Sequence, residues 1–230
     1  MPAHRRLPPP RAFVTVLGAL FVATTVAAVP VTPGAPPTPL PGTTQAADPT
    51  LAGAIVADVV TPWVSAIDPQ YGFPGAQGEL QSRVVREAGS GTLDFYWRIS
   101  VDAVSYPNFV PTTLLIGGIP LSGFGTGAAF DADYRTDAGG GTAPSGARST
   151  TDSLAWLFDP STFGPGSSSF FLLLRSGATT YDESALAGLG ASSIATFAPA
   201  AVPEPTDAVL ALAGLLALLA GTRRRGAARE

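Results

Sequence analysis

TLDFYWRISVDAV, residues 92–104, alternates polar and apolar side chains from Thr92 to Asp102. A period of two is typical of a β-strand with one face in the core and the other in solvent. The stretch therefore predicts an antiparallel strand in an all-β fold. The side chains expected to point inward are Leu93, Phe95, Trp97, Ile99 and Val101.

Shorter segments of similar character, bounded by Gly, Pro or Asp, flank this strand. They cover residues 61–67, 80–87, 112–116, 128–134, 154–158, 169–175 and 193–197. The run FFLLL at residues 170–174 is apolar on both faces, which predicts a central strand. Six to eight short strands without an amphipathic helix predict a β-sandwich over residues 50–200. The glycine-rich residues 137–150 predict a mobile surface loop.

The N-terminus has the order of a signal peptide. Arg5, Arg6 and Arg11 precede an apolar run at residues 12–29 that ends in small side chains. We expect residues 1–28 to be removed by cleavage after Ala28, with Ala27 as the alternative. A retained membrane anchor is the other interpretation, which the apolar length allows. Residues 29–49 contain seven prolines and predict an extended spacer without a core of its own.

Composition excludes several kinds of chemistry. The chain has no cysteine, and its single histidine, His4, lies in the predicted signal peptide. The exported part would therefore lack disulfides, catalytic triads with a histidine base, and the usual zinc ligands. Residues 29–205 hold six arginines and fifteen acids, a difference of −9. Such a charge disfavours nucleic acid and anionic lipid as ligands.

Carboxylates remain as candidates for chemistry. Glycoside hydrolysis needs two acids at a suitable separation, and Asp94, Asp102, Asp131 and Glu183 are candidates that the sequence alone does not pair. Solvation of strand faces and turns is the simpler interpretation of these acids, and we expect no catalytic residue and no cofactor.

A calcium site is a weaker hypothesis. Asp131, Asp133 and Asp137 have a spacing at which oxygens can collect around Ca²⁺, but the glycine and closing glutamate of a calcium loop are missing. We therefore expect solvated turn residues here and no bound metal.

Aromatic side chains could form a platform for sugar stacking. The candidates are Tyr96, Trp97, Tyr106 and Trp156. Because Trp97 lies on the apolar face of its strand, we expect it in the core instead.

The C-terminal residues 202–230, VPEPTDAVLALAGLLALLAGTRRRGAARE, form three blocks. Pro203-Glu204-Pro205 follows Val202, residues 206–222 are apolar on every side, and Arg223-Arg224-Arg225 comes next. Seventeen helical residues span roughly 25 Å, a little less than a bilayer core. An arginine cluster after such a run stops transfer and remains cytoplasmic. The order predicts a transmembrane helix that holds residues 29–205 outside the cell.

These three blocks resemble the PEP-CTERM sorting signal of exopolysaccharide-producing Gram-negative bacteria. The resemblance implies recognition near Pro-Glu-Pro by exosortase, a membrane cysteine protease, after signal peptidase has acted at the N-terminus. It also implies an inner-membrane-anchored precursor and then a place on the cell surface or in the extracellular matrix of a biofilm. Residues 91–101 (GTLDFYWRISV) are similar to a strand that recurs in the ectodomains of such proteins.

The expected function is thus a non-enzymatic surface or matrix protein. A carbohydrate-binding module for the cell's own exopolysaccharide is the first alternative. A carboxylate-based glycan hydrolase is the second.

Overall fold

The computed structural model describes residues 28–65, 72, 75–106, 108, 110–119 and 129–200, which form two antiparallel sheets packed as a sandwich. The strands are β1 (Val29–Val31), β2 (Gly53–Val64), β3 (Gln77–Glu87), β4 (Leu93–Val101), β5 (Thr113–Gly117), β6 (Phe130–Arg135), β7 (Gly146–Ser149), β8 (Ser153–Leu157), β9 (Phe171–Arg175), β10 (Tyr181–Leu189) and β11 (Ser192–Pro199). One sheet has the order β1-β6-β9-β4-β3-β2, and the other β11-β10-β5-β8-β7. The predicted all-β sandwich is confirmed.

The predicted inward face of β4 lies in the core between the sheets. Its five apolar side chains are at most 3% exposed. Trp97 packs on Trp156 of β8, with ring centroids 5.6 Å apart, and its Nε1 donates to Thr196 Oγ1 at 2.8 Å. That hydrogen bond satisfies the one polar atom of the Trp97 indole and joins the two sheets across the core.

Strand β9 is central, as its apolar run predicts. It pairs with β4 on one side and with β6 on the other. Leu172 and Leu174 face the main core, while Phe171 and Leu173 belong to a second apolar cluster on the opposite face of the sheet. A strand covered on both sides needs apolar residues at every position, and this is what FFLLL supplies.

Residues 29–49 differ from the spacer that their prolines predict. They are extended, but they pack against the sandwich: β1 pairs with β6, Val31 is 1% exposed, and Thr38 exchanges backbone hydrogen bonds with Ala147 of 2.7 and 2.9 Å. Proline is compatible with such an edge because it lacks an N–H that would otherwise need a partner. The folded region therefore begins before residue 50, and the residues between the prolines donate the hydrogen bonds that attach this segment.

The predicted loop at residues 137–150 also differs, because it contains β7, which pairs with β8. Strand β10 was not predicted at all, and β2 begins eight residues before the predicted segment. The longest described helix is the 3₁₀ turn Pro49–Leu51, so no helix among the described residues has the length and apolar character needed to cross a membrane.

Candidate binding face of the six-stranded sheet

The outer face of the six-stranded sheet carries polar side chains around the second apolar cluster. In-register neighbours share a face, so each of these side chains stands beside those of the adjacent strands. The face includes Arg83 and Val85 of β3, Asp94, Tyr96 and Arg98 of β4, Asp131, Asp133 and Arg135 of β6, and Phe171, Leu173 and Arg175 of β9. Four of the six arginines in residues 29–205 are therefore on one face of an acidic protein.

The end of the proline-rich segment and the 3₁₀ turn that follows Asp48 cover part of this face. Asp48 caps the 3₁₀ turn, since its Oδ1 accepts from Thr50 N at 3.1 Å and from Thr50 Oγ1 at 2.6 Å. Its Oδ2 accepts from Arg175 Nη2 at 2.5 Å. Leu51, 2% exposed, packs in the apolar cluster beside Tyr96 and Phe171. One ion pair and one leucine thus attach the segment to the sheet.

Two carboxyl groups are buried beneath this cover. Asp94 is 1% exposed, and only its Oδ2 has a hydrogen-bond donor, the Tyr96 hydroxyl at 3.4 Å. Burial, followed by repulsion from Glu87, raises the pKa of Asp94 to about 7 although Arg175 opposes the shift. An acid in such surroundings is stabilised in its protonated form.

Asp133 is fully buried, and its Oδ1 accepts from Gly42 N at 2.9 Å. Its Oδ2 has no hydrogen-bond partner, and burial raises its pKa as well. Gly42 has a φ of +73°, and a Cβ there would come within 2.6 Å of the Tyr134 ring, so only glycine fits. This contact fastens the proline-rich segment to β6.

A cavity of about 280 Å³ opens beside the 3₁₀ turn. Tyr96 and Phe171 lie among its walls, and Arg83 and Arg135 carry the positive charges that line it. The Arg83 guanidinium lies 4.7 Å from the centre of the Phe171 ring. Arg83 is paired with Asp58 at 2.7 Å and Arg135 with Asp137 at 2.9 Å, so the charge of the cavity is already balanced.

A second depression, of about 200 Å³, lies on the same face over β2, β3 and β4. Its lining is Val60, Glu79, Gln81, Arg98, Ser100 and Ser168. Arg98 donates to the backbone oxygens of Ser169 at 3.2 Å and Gly140 at 2.9 Å, and no described carboxylate pairs with it. This depression offers hydroxyl, amide and guanidinium groups to a polar ligand.

The three aspartates considered for calcium do not converge. Asp133 is buried against Gly42, whereas Asp137 is exposed, accepts from Gln45 N at 2.7 Å and pairs with Arg135. Asp131 stands on β6 in register with Arg175. Within the described ranges, no three acidic or other ligating side chains form a group that could hold a metal ion.

The four acids considered for hydrolysis lie apart, except for one pair. Asp94 and Asp131 stand on either side of Arg175 in the register of the sheet, roughly 10 Å apart at the backbone. Because Asp94 is only 1% exposed, a glycan has no access to it. Asp102 accepts from Gln77 Nε2 at 2.9 Å just beyond β4, and Glu183 lies on β10 of the other sheet.

The aromatic candidates do not form a stacking platform. Trp97, Trp156 and Tyr96 are at most 2% exposed, so the expectation that Trp97 lies in the core is confirmed. Tyr106 is 49% exposed and stands beyond the end of β4.

The sorting residues Val202, Pro203, Glu204, Pro205, Arg223, Arg224 and Arg225, and the helix expected at residues 206–222, lie outside the described residues. Cleavage after Ala28 stays a prediction. It would leave Val29, the first residue of β1, at the new N-terminus.

Sequence reasoning missed Asp48, Arg83 and Arg175 on the outer face. Each is a single charged residue in a strand or next to one. Its partner is determined by the pairing of distant strands, which a local sequence pattern does not reveal. The alternation in residues 92–104 did place Asp94 and Tyr96 together on the face where these arginines lie.

Comparisons of the chain with models of protein families, with curated proteins and with solved structures found no match.

Proposed function

We propose that this chain is an exported, non-enzymatic surface or matrix protein of an exopolysaccharide-producing Gram-negative bacterium, sorted and cleaved by exosortase at its C-terminus. The observation that carries the proposal is the order of Pro203-Glu204-Pro205, an apolar stretch at residues 206–222 and Arg223-Arg224-Arg225 at the C-terminal end. Signal peptidase and exosortase are its processing partners, and the inner membrane holds it only transiently.

The physical basis is the position of the motif relative to the membrane. A proline disfavours a helical conformation of the residue before it, so Pro205 keeps Glu204 extended and Pro203 does the same for Val202. The arginines stop the apolar helix during transfer and keep the motif at the outer membrane surface. A membrane protease then meets an unfolded backbone at a fixed height above the bilayer.

The described residues support a role without catalysis. They contain neither histidine nor cysteine, and Asp94 and Asp133, the candidate acids whose pKa values are raised, are buried. A surface protein without disulfides depends on its core, and the sandwich here has a continuous one.

Mass spectrometry of the protein recovered from the surface of a host with exosortase tests this function. We expect a C-terminus near residue 205, and Pro203-Glu204-Pro205→Ala-Ala-Ala should trap the chain in the inner membrane. Asp159-Pro160→Ala-Ala, an exposed acid–proline pair within the sandwich, is the control and should be sorted normally. An intact wild-type C-terminus at Glu230 would contradict sorting and indicate a permanent anchor.

Binding of exopolysaccharide is the second candidate function, favoured by the depression that contains Arg98, Gln81 and Ser100. Since Tyr96, Trp97 and Trp156 are buried, such binding would depend on hydrogen bonds rather than on stacking against these rings. Residues 29–200 should be retained on purified exopolysaccharide, and Arg98→Ala should weaken retention. Arg148→Ala, an exposed arginine on the other sheet, should not. Equal retention of both variants and wild type would exclude this site.

A further inference from the structure

Strand β2 is the last strand of its sheet, and no described strand pairs with its outer side. It is twelve residues long, and it carries five of the large apolar side chains that are exposed on the described surface. These are Ile55, Val56, Val59, Val60 and Val64, with exposed fractions from 38% to 55%. Long apolar edge strands are the usual templates for pairing with another chain.

The backbone groups of β2 point alternately toward β3 and away from it. Ser65 N donates to Ala76 O, toward β3. Because successive residues alternate in direction, Asp58 and Val60 present both backbone groups outward, and Pro62 presents only its carbonyl. Nearer the ends, Tyr181 Oη donates to Val56 O at 3.4 Å and Ser192 Oγ donates to Val64 O.

The charge on β2 does not oppose pairing. Edge strands are usually blocked by unpaired charges, lysine above all. The one ionisable side chain of β2 is Asp58, and its carboxylate is held by Arg83 Nη2 at 2.7 Å and Gln81 Nε2 at 2.8 Å of the neighbouring strand. A second strand would therefore meet a neutral ion pair.

We propose that β2 pairs antiparallel with β2 of a second copy of this chain, about a two-fold axis at Val59. In this register Asp58 lies opposite Val60 of the second copy, and the N–H and C=O groups of Asp58 and Val60 in each chain find partners. An axis at Val60 would instead set Asp58 against Pro62, which has no N–H to donate. Strand β2 is thus complementary to itself in one register.

The pairing also buries apolar surface. Val59 borders a groove of about 210 Å³ that Ile194 and Phe197 of β11 share. In the proposed dimer, Val59 meets its own copy above this groove, and each Val60 stands beside the hydrogen-bonded Asp58 of the other chain. The two six-stranded sheets then form one continuous sheet.

The absence of cysteine from the chain makes the pairing testable by cross-linking. Val59→Cys introduces a single thiol per chain, and the proposed axis sets it opposite its copy in a non-hydrogen-bonded pair with Cα atoms about 4.5 Å apart, within reach of a disulfide. The full chain in detergent micelles is oxidised mildly and analysed on a non-reducing gel. Leu186→Cys, 53% exposed on the other sheet, is the matched control.

We expect about tenfold more disulfide-linked dimer from Val59→Cys than from Leu186→Cys, since only the former would satisfy disulfide geometry. Mixing Ala57→Cys with Thr61→Cys chains should give mixed dimers, and adding Val60→Lys to Val59→Cys should reduce its dimer. Unchanged melting temperatures would show that the variants fold. Equal cross-linking at positions 59 and 186, or more dimer from Val60→Cys than from Val59→Cys, would overturn the proposal.

Discussion

The two faces of β4 differ in what covers them. The inner face meets the whole opposing sheet, and Trp97 there is in contact with Trp156 of β8. The outer face is covered only near Tyr96, by the 3₁₀ turn that carries Leu51. Toward the other end of the strand, Arg98 and Ser100 border an open depression.

The difference shows that one strand can belong to two environments. The inner face is held by apolar contacts, which depend weakly on pH and salt. The outer face combines a small apolar cluster with ion pairs and buried carboxyl groups, whose energies depend on both. The two faces should therefore respond differently to substitution and to pH.

Truncation on the inner face should have the largest effect. Trp97→Ala removes an indole that is 1% exposed and its hydrogen bond to Thr196, and it should destabilise the fold by about 3–5 kcal/mol. Ser100→Ala on the outer face should cost less than about 0.5 kcal/mol. Urea unfolding of both variants tests the contrast, and equal sensitivity of the two faces would show that the alternation does not separate core from surface.

The pH dependence of stability should come from the outer face. The pKa of Asp94 is raised to about 7, so the folded state binds a proton that the unfolded state releases near pH 4. Unfolding free energy should fall as pH rises from about 4 to about 7, by up to about 4 kcal/mol if Asp94 titrated alone.

Asp94→Asn should flatten this dependence, because the amide stays neutral at every pH. The control is Asp152→Asn on an exposed turn, which should keep the wild-type slope. Chemical denaturation at several pH values measures both. A slope unchanged in Asp94→Asn would show that the neighbouring Arg175 keeps the carboxylate ionised in the fold.

The inner face could be predicted from the sequence because its side chains are large. Strand β10 was missed for the opposite reason: its buried inward positions include Ala185 and Ala187, whose small side chains give almost no alternation. Strand β7 is similar, with Gly146 and Ala147 buried. Size at the inward position, rather than burial, decides whether a strand is visible in the sequence.

The outer face was only half predictable. The alternation placed Asp94 and Tyr96 together, but it also predicted solvent above them. The cover depends on a contact between Asp48 and Arg175, 127 residues apart, which no local pattern encodes. Prolines correctly indicate an extended segment at residues 29–49, yet they do not indicate what it lies against.

Weakening the contact between the 3₁₀ turn and the outer face should lower the free energy of unfolding by an intermediate amount. Leu51 is 2% exposed in the small cluster, so Leu51→Ala should cost about 2–3 kcal/mol, while the exposed Leu186→Ala should cost less than about 0.5 kcal/mol. Water would then reach Asp94, lower its pKa and weaken the pH dependence. Thermal and urea unfolding at pH 5 and pH 8 measure both effects. A Leu51→Ala variant with wild-type stability would mean that the 3₁₀ turn does not hold the segment on the sheet.

The smallest effect should come from the Asp58–Arg83 pair, and its pH dependence should have the opposite sign to that of Asp94. Burial alone would raise the pKa of Asp58, but hydrogen bonds from Arg83 and Gln81 outweigh it and hold the pKa below its usual value. The Asp58–Arg83 pair therefore stabilises the fold above the unfolded pKa of Asp58, and this contribution is lost as pH falls through the lower folded pKa.

Because both side chains are partly exposed, their coupling in a double-mutant cycle of Asp58→Ala with Arg83→Ala should be under about 1 kcal/mol, and smaller still in 1 M salt. A coupling that is unchanged in 1 M salt would mean that the hydrogen bond from Arg83 Nη2 to Asp58 Oδ2, rather than screened charge attraction, holds the two side chains together.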